Sequence, residues 1–495
     1  MNSLPLTALE PGMRLIVAGD RVMSVPAALA ERFRAGDSLV YSDATDELML
    51  VPSAAKSAAT VAVTEALVAF DQMRSVRDEQ VNHFYSVFAR HLSSEAIWSS
   101  ILQANRLDVE DARRRERSTT RLVATDRLRQ GMIDGLHGWA AMGSTRGRVI
   151  ETIEHSGWAV DLVAAELGVV AFVFEGRPNV LADATGVLKG GNTVVFRIGR
   201  DALRTASAIM ESALVPALAE AGLPRGAVRL VQSAEHASGW ALFSDRRLSL
   251  AVARGSGRAV AALGSLARQA GVPVSLHGTG GAWLVATAQT AVTDLERNVM
   301  LSLDRKVCNT LNVCCIPRAQ AEWLVPAFLR GLAKAGERRH QAFKLHVVEG
   351  DETEWTRALF SQQVAVVRAE GVVNEPQAES LREAELGREW EWEETPEVSL
   401  KLVDGLEHAI RLFNKYSPQF VASLVSTDPV EQQRFFEAVN APFVGDTHTR
   451  WVDGQLALRR PELGLSNWEY GRLLGRGGVL SGDGIYTVRT RARKL

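Results

Sequence analysis

Between residues 165 and 280, short apolar runs rich in β-branched residues alternate with amphipathic stretches. The runs fall at 168–174, 193–198, 227–232, 248–253 and 272–276. Between the second and third, Ala206, Met210, Ala213, Ala217 and Ala221 recur at helical spacing, and Gly222 with Pro224 supplies a stop. Strand, helix and strand repeated in this way predict an α/β fold with a doubly wound parallel sheet. Ligands are then expected at the carboxyl ends of its strands.

Upstream, 53–72, 78–92 and 109–117 read as helices, and 146–170 reads as a pair of strands leaving the sheet and returning. In the first 75 residues, 13–17, 38–41 and 48–51 read as short strands around a helix at 26–34. A second mixed region runs from 281 to 445, with a helix near 320–335, an extended segment at 343–348 and a helix near 429–439. Within it, 369–397 is acidic and carries Trp390 and Trp392; it reads as a helix plus an exposed connection, its charges forming a solvated face.

At 495 residues, the chain predicts two or three domains. A formal charge of -2 offers no basic field, so nucleic acid and anionic membranes are excluded as main partners and a small molecule is expected. Three cysteines, Cys308, Cys314 and Cys315, make no disulfide framework and carry no metal-ligand spacing, so no metal is expected. With no leader and no membrane-length apolar run, the expectation is a soluble cytoplasmic protein.

Three features bear chemistry. Cys308 sits in a polar segment between Lys306 and Asn309, with Arg305 nearby, and neighbouring positive charge favours the reactive thiolate. Cys314 and Cys315, inside the apolar run 313–316, read as core. Gly255, Ser256 and Gly257 follow a predicted strand and open a helix, where backbone N–H groups and the helix dipole receive a cofactor phosphate or the glycines merely make a turn. Arg197 and Arg200 end another strand; they either hold an adenosine 2′-phosphate, selecting NADP, or are surface arginines.

The segment GVVAFVFEGRPNVLADATGVLKGG at 168–191, followed by NTVVFR, resembles the gamma-glutamyl phosphate reductase family of the aldehyde dehydrogenase superfamily. Further matches stand in the same order: AEAGLP at 219–224, VCN at 307–309, KLVDGLEHAI at 401–410, TRWVDG at 449–454 and GRGG at 475–478. The resemblance implies an aldehyde dehydrogenase-like fold and NADPH-dependent reduction of an acyl phosphate through a thioester on Cys308. It assigns Asn179 to oxyanion stabilisation with the cysteine's backbone N–H, and Arg177, Arg450 and Asn309 to the substrate. It also divides the chain into an amino-terminal extension (1–75), a cofactor domain (76–280) with an arm at about 146–170, and a catalytic domain (281–445). Residues 446–495 then return to the cofactor domain and the arm, and arms of this kind imply a homodimer or homotetramer.

Departures are visible too. Leu276 stands where the superfamily places the glutamate that activates water, so hydrolysis should be slow and transfer to phosphate or another acceptor favoured. His277 beside it is a base or a structural residue. The extension over the first 75 residues and the region after Gly454 depart from the family. Reduction of an acyl-CoA thioester, and a retired enzyme serving as a scaffold, are the alternatives.

Overall fold

In the computed structural model, the described residues are 5–495 apart from 118, 120–121, 175, 177–178, 369–370, 453–456, 459–461 and 469–478. The chain forms two compact units, one over 1–278 with 460–465 and 479–495, the other over 279–459 with 466–478.

The first unit opens with a small lobe. Strands β1 (Arg14–Val17) and β2 (Arg21–Ser24) make an antiparallel hairpin; helix α1 (Ala27–Arg32) leads to a second hairpin, β3 (Ser38–Ser42) and β4 (Glu47–Val51). Leu9, Val25, Phe33 and Leu50 form its own apolar cluster. Strand β2 escaped the sequence reading because Arg21 and Ser24 flank only two apolar residues. Helix α2 (Ser53–Met73) turns a face of small residues, Ala59, Ala62, Val63 and Ala66, onto Val169, Ala171 and Val195 of the parallel sheet. Its packing joins it to the sheet, so the lobe ends at β4, short of the expected limit at 75.

Helices α3 (Asp78–Ser93), α4 (Glu95–Arg114) and α5 (Asp126–Ala141) follow. The sequence reading found only the end of α4 because two polar residues, Asn105 and Asp108, interrupt its buried stripe. Both are satisfied: Asn105 Nδ2 donates to Leu122 O at 2.9 Å, and Asp108 accepts from Thr205 N and Oγ1, each at 2.8 Å. Strands β5 (Val149–His155) and β6 (Trp158–Ala165) are the expected excursion.

The parallel sheet then builds from β7 (Val169–Phe174), α6 (Val180–Ala184), β8 (Thr193–Ile198), α7 (Leu203–Ile209), α8 (Val215–Glu220), β9 (Val228–Leu230), α9 (His236–Phe243), β10 (Leu250–Arg254), α10 (Gly257–Gln269) and β11 (Val274–His277). Between α7 and α8 lies a π-helical turn, Met210–Leu214, so the predicted helix is continuous but locally widened. The order is β11-β10-β7-β8-β9 with every pair parallel. Strands β7 and β8 are buried throughout, as strands covered on both faces must be.

The second unit carries a seven-stranded parallel sheet. Its elements are β12 (Ala282–Ala286), α11 (Val292–Leu301), β13 (Leu311–Pro317), α12 (Ala321–Glu337), β14 (Lys344–Val348) and α13 (Glu354–Arg357). A hairpin of β15 (Gln363–Arg368) and β16 (Gly371–Pro376) comes next, then β17 (Ala378–Leu381), β18 (Glu397–Val403), α14 (Leu406–Tyr416), β19 (Val421–Val425), α15 (Pro429–Ala438) and β20 (Phe443–Gly445). The order is β17-β14-β18-β13-β12-β19-β20.

The acidic stretch 369–397 is a correction. Its described residues form strands, a single 3-10 turn, Glu383–Glu385, and an irregular connection over 386–396 in which Trp390 and Trp392 are buried, with no α-helix among them. Three of its carboxylates, Glu375, Glu379 and Glu397, pair with cationic or basic side chains of β14 and β15. Glu375 accepts from Arg368 at 2.7 Å and lies 3.1 Å from buried Lys344, and the Arg368 guanidinium holds its carboxyl at about 2. Glu397 is buried, which alone would raise its pKa, yet hydrogen bonds from His346 and Arg368 outweigh burial and lower it.

Back in the first unit, β21 (Gly464–Leu465) pairs with β22 (Val479–Leu480), and β23 (Thr487–Lys494) lies antiparallel to β6. The sheet β23-β6-β5 is fastened by Asp161, which accepts from Arg491 at 2.8 Å, Arg493 at 3.0 Å and Thr152 at 2.9 Å. Among the described residues, no helix is long and apolar enough to cross a membrane.

Candidate active site

Cys308 lies in the tight turn between α11 and β13, partly exposed. Thr310 ties the turn together: its hydroxyl donates to Arg305 O at 2.7 Å and accepts from Val307 N at 2.9 Å. The Cys308 carbonyl accepts from Gly281 N at 2.7 Å, locking the turn to the start of β12. Gly280 permits that approach, since a Cβ there would lie 2.6 Å from Cys308 Cα and 2.7 Å from Cys308 O. Next along β13, Cys314 and Cys315 are fully buried. Burial raises the Cys314 thiol well above the usual range and pushes Cys315 up to about 12, so both are inert core residues.

Of the two cations expected to favour the Cys308 thiolate, Arg305 is half exposed and 4.0 Å from Asp304, whereas Lys306 is otherwise engaged. Lys306, almost wholly buried, is paired with Glu389, whose other oxygen accepts from Gly280 N at 2.6 Å. Asn309 is buried and turned toward Val452 O and Arg450. Arg450, expected at the substrate, is itself buried; it donates to Asp304 at 2.6 Å and to Asn309 Oδ1. Thr449 adds hydrogen bonds to Asn309 O at 2.7 Å and from its own N to Ser302 Oγ at 2.9 Å. Arg450 and Asn309 thus brace the cysteine turn, a different use from the anion contact expected of them. His448 beside them is shifted down, by burial first and by Arg450 second.

Sequence reasoning missed Glu389 and Asn312. Asn312 Nδ2 donates to Arg388 O at 2.8 Å and its Oδ1 accepts from Trp390 N at 2.9 Å, tying β13 to the segment that carries Glu389. Glu389 was hidden inside an acidic run; the signal available for its neighbour was the Gly280-Gly281 pair ahead of a strand.

The cofactor candidates lie in the first unit. Gly255 and Ser256 link β10 to α10, which opens at Gly257, and Gly255 N donates to His277 O at 3.2 Å. A Cβ at Gly278 would sit 3.2 Å from Gly257 Cα, so glycine keeps the approach to this turn open. No acidic residue occupies the first turn of α10. Open backbone at a helix amino terminus without a carboxylate suits a dinucleotide phosphate. Arg197 is buried, its stem near the position a Cβ on Gly239 of α9 would take, whereas Arg200 is exposed just beyond β8. Leu276 is buried against Gly264 of α10, where a Cβ would meet its Cδ1 at 2.4 Å, so this side chain belongs to the sheet core. His277 is buried beside it. Asn179 precedes α6 and donates to Asp183 at 3.2 Å. Arg177 lies outside the described residues.

The aldehyde dehydrogenase family profile matches residues 178–326, a span that contains both Asn179 and Cys308. A gamma-glutamyl phosphate reductase of Mesorhizobium japonicum is 27% identical over 476 residues, covering 93% of this chain and 94% of the relative. The crystal structure of a gamma-glutamyl phosphate reductase from Thermotoga maritima superposes with a TM-score of 0.74 at 22% identity, covering 88% of this chain and 98% of that one. An engineered glycolyl-CoA reductase with bound NADP+ gives a TM-score of 0.60 at 13% identity, with 88% and 96% covered. The chain has the aldehyde dehydrogenase fold and, along most of its length, is similar to gamma-glutamyl phosphate reductases.

Proposed function

We propose that the chain reduces an acyl phosphate, gamma-glutamyl phosphate or a close relative, to the semialdehyde with NADPH, through a thioester on Cys308. The similarity to a named reductase over 93% of the chain carries this proposal. The braced turn in which Cys308 stands partly exposed supports it.

In this reaction the Cys308 sulfur bonds to the acyl carbon and the carbon–oxygen bond to phosphate breaks, so inorganic phosphate departs. Asn179 and the Cys308 backbone N–H carry the oxyanion charge that develops. A nicotinamide, when bound, would supply the hydride that reduces the thioester. A proton then restores the Cys308 thiol as the aldehyde leaves. The Gly255-Ser256-Gly257 turn and the first turn of α10 would hold the cofactor's phosphates, with exposed Arg200 and buried Arg197 assigned to its 2′-phosphate. Arg177 is assigned to the substrate; Arg450 and Asn309 serve it by holding the turn. The sheet β23-β6-β5, with Val149, Ile153 and Trp158 exposed, supplies the contact for a homodimer or homotetramer. The enzyme works in the cytoplasm.

The test is the reverse reaction, following NADP reduction with glutamate-5-semialdehyde in the presence of inorganic phosphate or of CoA. A rate that requires phosphate is expected. A rate supported by CoA alone would establish acyl-CoA reduction instead, a chemistry named for one structure of this fold.

A further inference from the structure

The amino-terminal lobe is fastened to the helix that opens at the cofactor turn. Glu47 accepts from Arg258, Asp43 accepts from Ser265, and Gln269 Nε2 donates to Tyr41 O at 2.9 Å. Positions 258, 265 and 269 fall on one face of α10, seven and eleven residues along from the first. Val260, Leu263 and Ala267, on another face, pack in the sheet core. The β3–β4 hairpin therefore runs the length of α10 and delivers a carboxylate to its first turn.

The Glu47–Arg258 contact differs from the other two. Arg258 is 73% exposed and Glu47 39%, and an exposed ion pair adds little to stability, so a competing anion readily replaces the carboxylate. The guanidinium stands at the second residue of a helix amino terminus whose first turn has no acid of its own. Helix dipole and guanidinium together make an anion site, and the carboxylate now on it comes from the lobe. That bond also holds the Glu47 carboxyl below its usual range.

We propose that Arg258 binds a phosphate of the nicotinamide dinucleotide and that Glu47 competes for it, so the added lobe tunes cofactor affinity. This rests on the cofactor reading above. NADPH and NADH dissociation constants are measured by calorimetry on the full chain, with thermal melts confirming that each variant folds. Arg258→Ala is expected to weaken NADPH binding about tenfold and Arg258→Lys to restore part of it. Glu47→Gln is expected to tighten binding about threefold, and to do nothing when Arg258 is already alanine. An equal loss for NADH places the contact on the pyrophosphate, and a loss for NADPH alone places it on the 2′-phosphate; both support the proposal. Unchanged NADPH affinity in Arg258→Ala, or unchanged or weaker affinity in Glu47→Gln, overturns it. A native chain that binds neither dinucleotide overturns the cofactor reading itself.

Discussion

Cys308 and Cys315 are the same residue seven positions apart, yet one stands in a partly exposed turn and the other is sealed in β13. Nearby charge does not separate them. Cys315 has Lys401 near enough to lower its pKa, and burial still pushes it up to about 12, while the lysine beside Cys308 is paired with Glu389. The difference is access to water and a backbone held from several sides. A turn braced by Gly281, Thr310, Asn309 and Arg450 leaves its cysteine partly exposed; a strand interior buries it.

The largest expected effect is that of Cys308→Ala, which should abolish turnover in the semialdehyde assay while NADPH binding persists; retained turnover would move the chemistry elsewhere. Gly280→Ala comes next. Its added carbon would lie 2.6 Å from Cys308 Cα, which must shift, and a displacement of that kind is expected to lower kcat about a hundredfold. Arg450→Ala removes the brace to Asp304 and Asn309. It should cost about 1–3 kcal/mol in a denaturant melt, with a smaller loss of kcat than Gly280→Ala. Cys315→Ala should cost about 1 kcal/mol and leave kcat unchanged. Alkylation at pH 8 should mark Cys308 and spare Cys315, whose thiol burial pushes up to about 12. Rapid labelling of Cys315 in the folded chain would erase the contrast.

The five-stranded sheet was readable because its strands are continuous apolar runs and the helices between them keep their spacing. Reading failed where burial is polar. Asn105 and Asp108 broke the stripe of α4, since nothing local shows that Leu122 and Thr205 will satisfy them. The acidic stretch misled for the same reason. Glu375 and Glu397 look solvated until Lys344, His346 and Arg368 arrive from β14 and β15. The thiol itself stood out through its order among family-like motifs, but its bracing did not. Arg450 lies 141 positions from Asn309, and Glu389 lies 83 from Lys306.

The ion pair between Arg491 and Asp161 spans 330 positions and belongs to a unit that encloses the whole of its neighbour in sequence. On the ribosome, the second unit emerges complete while the first still lacks β23. Final closure of the first unit therefore waits until the second has been made. Until it happens, β6 presents an unpaired edge to every other nascent chain, the hazard that chaperones exist to cover.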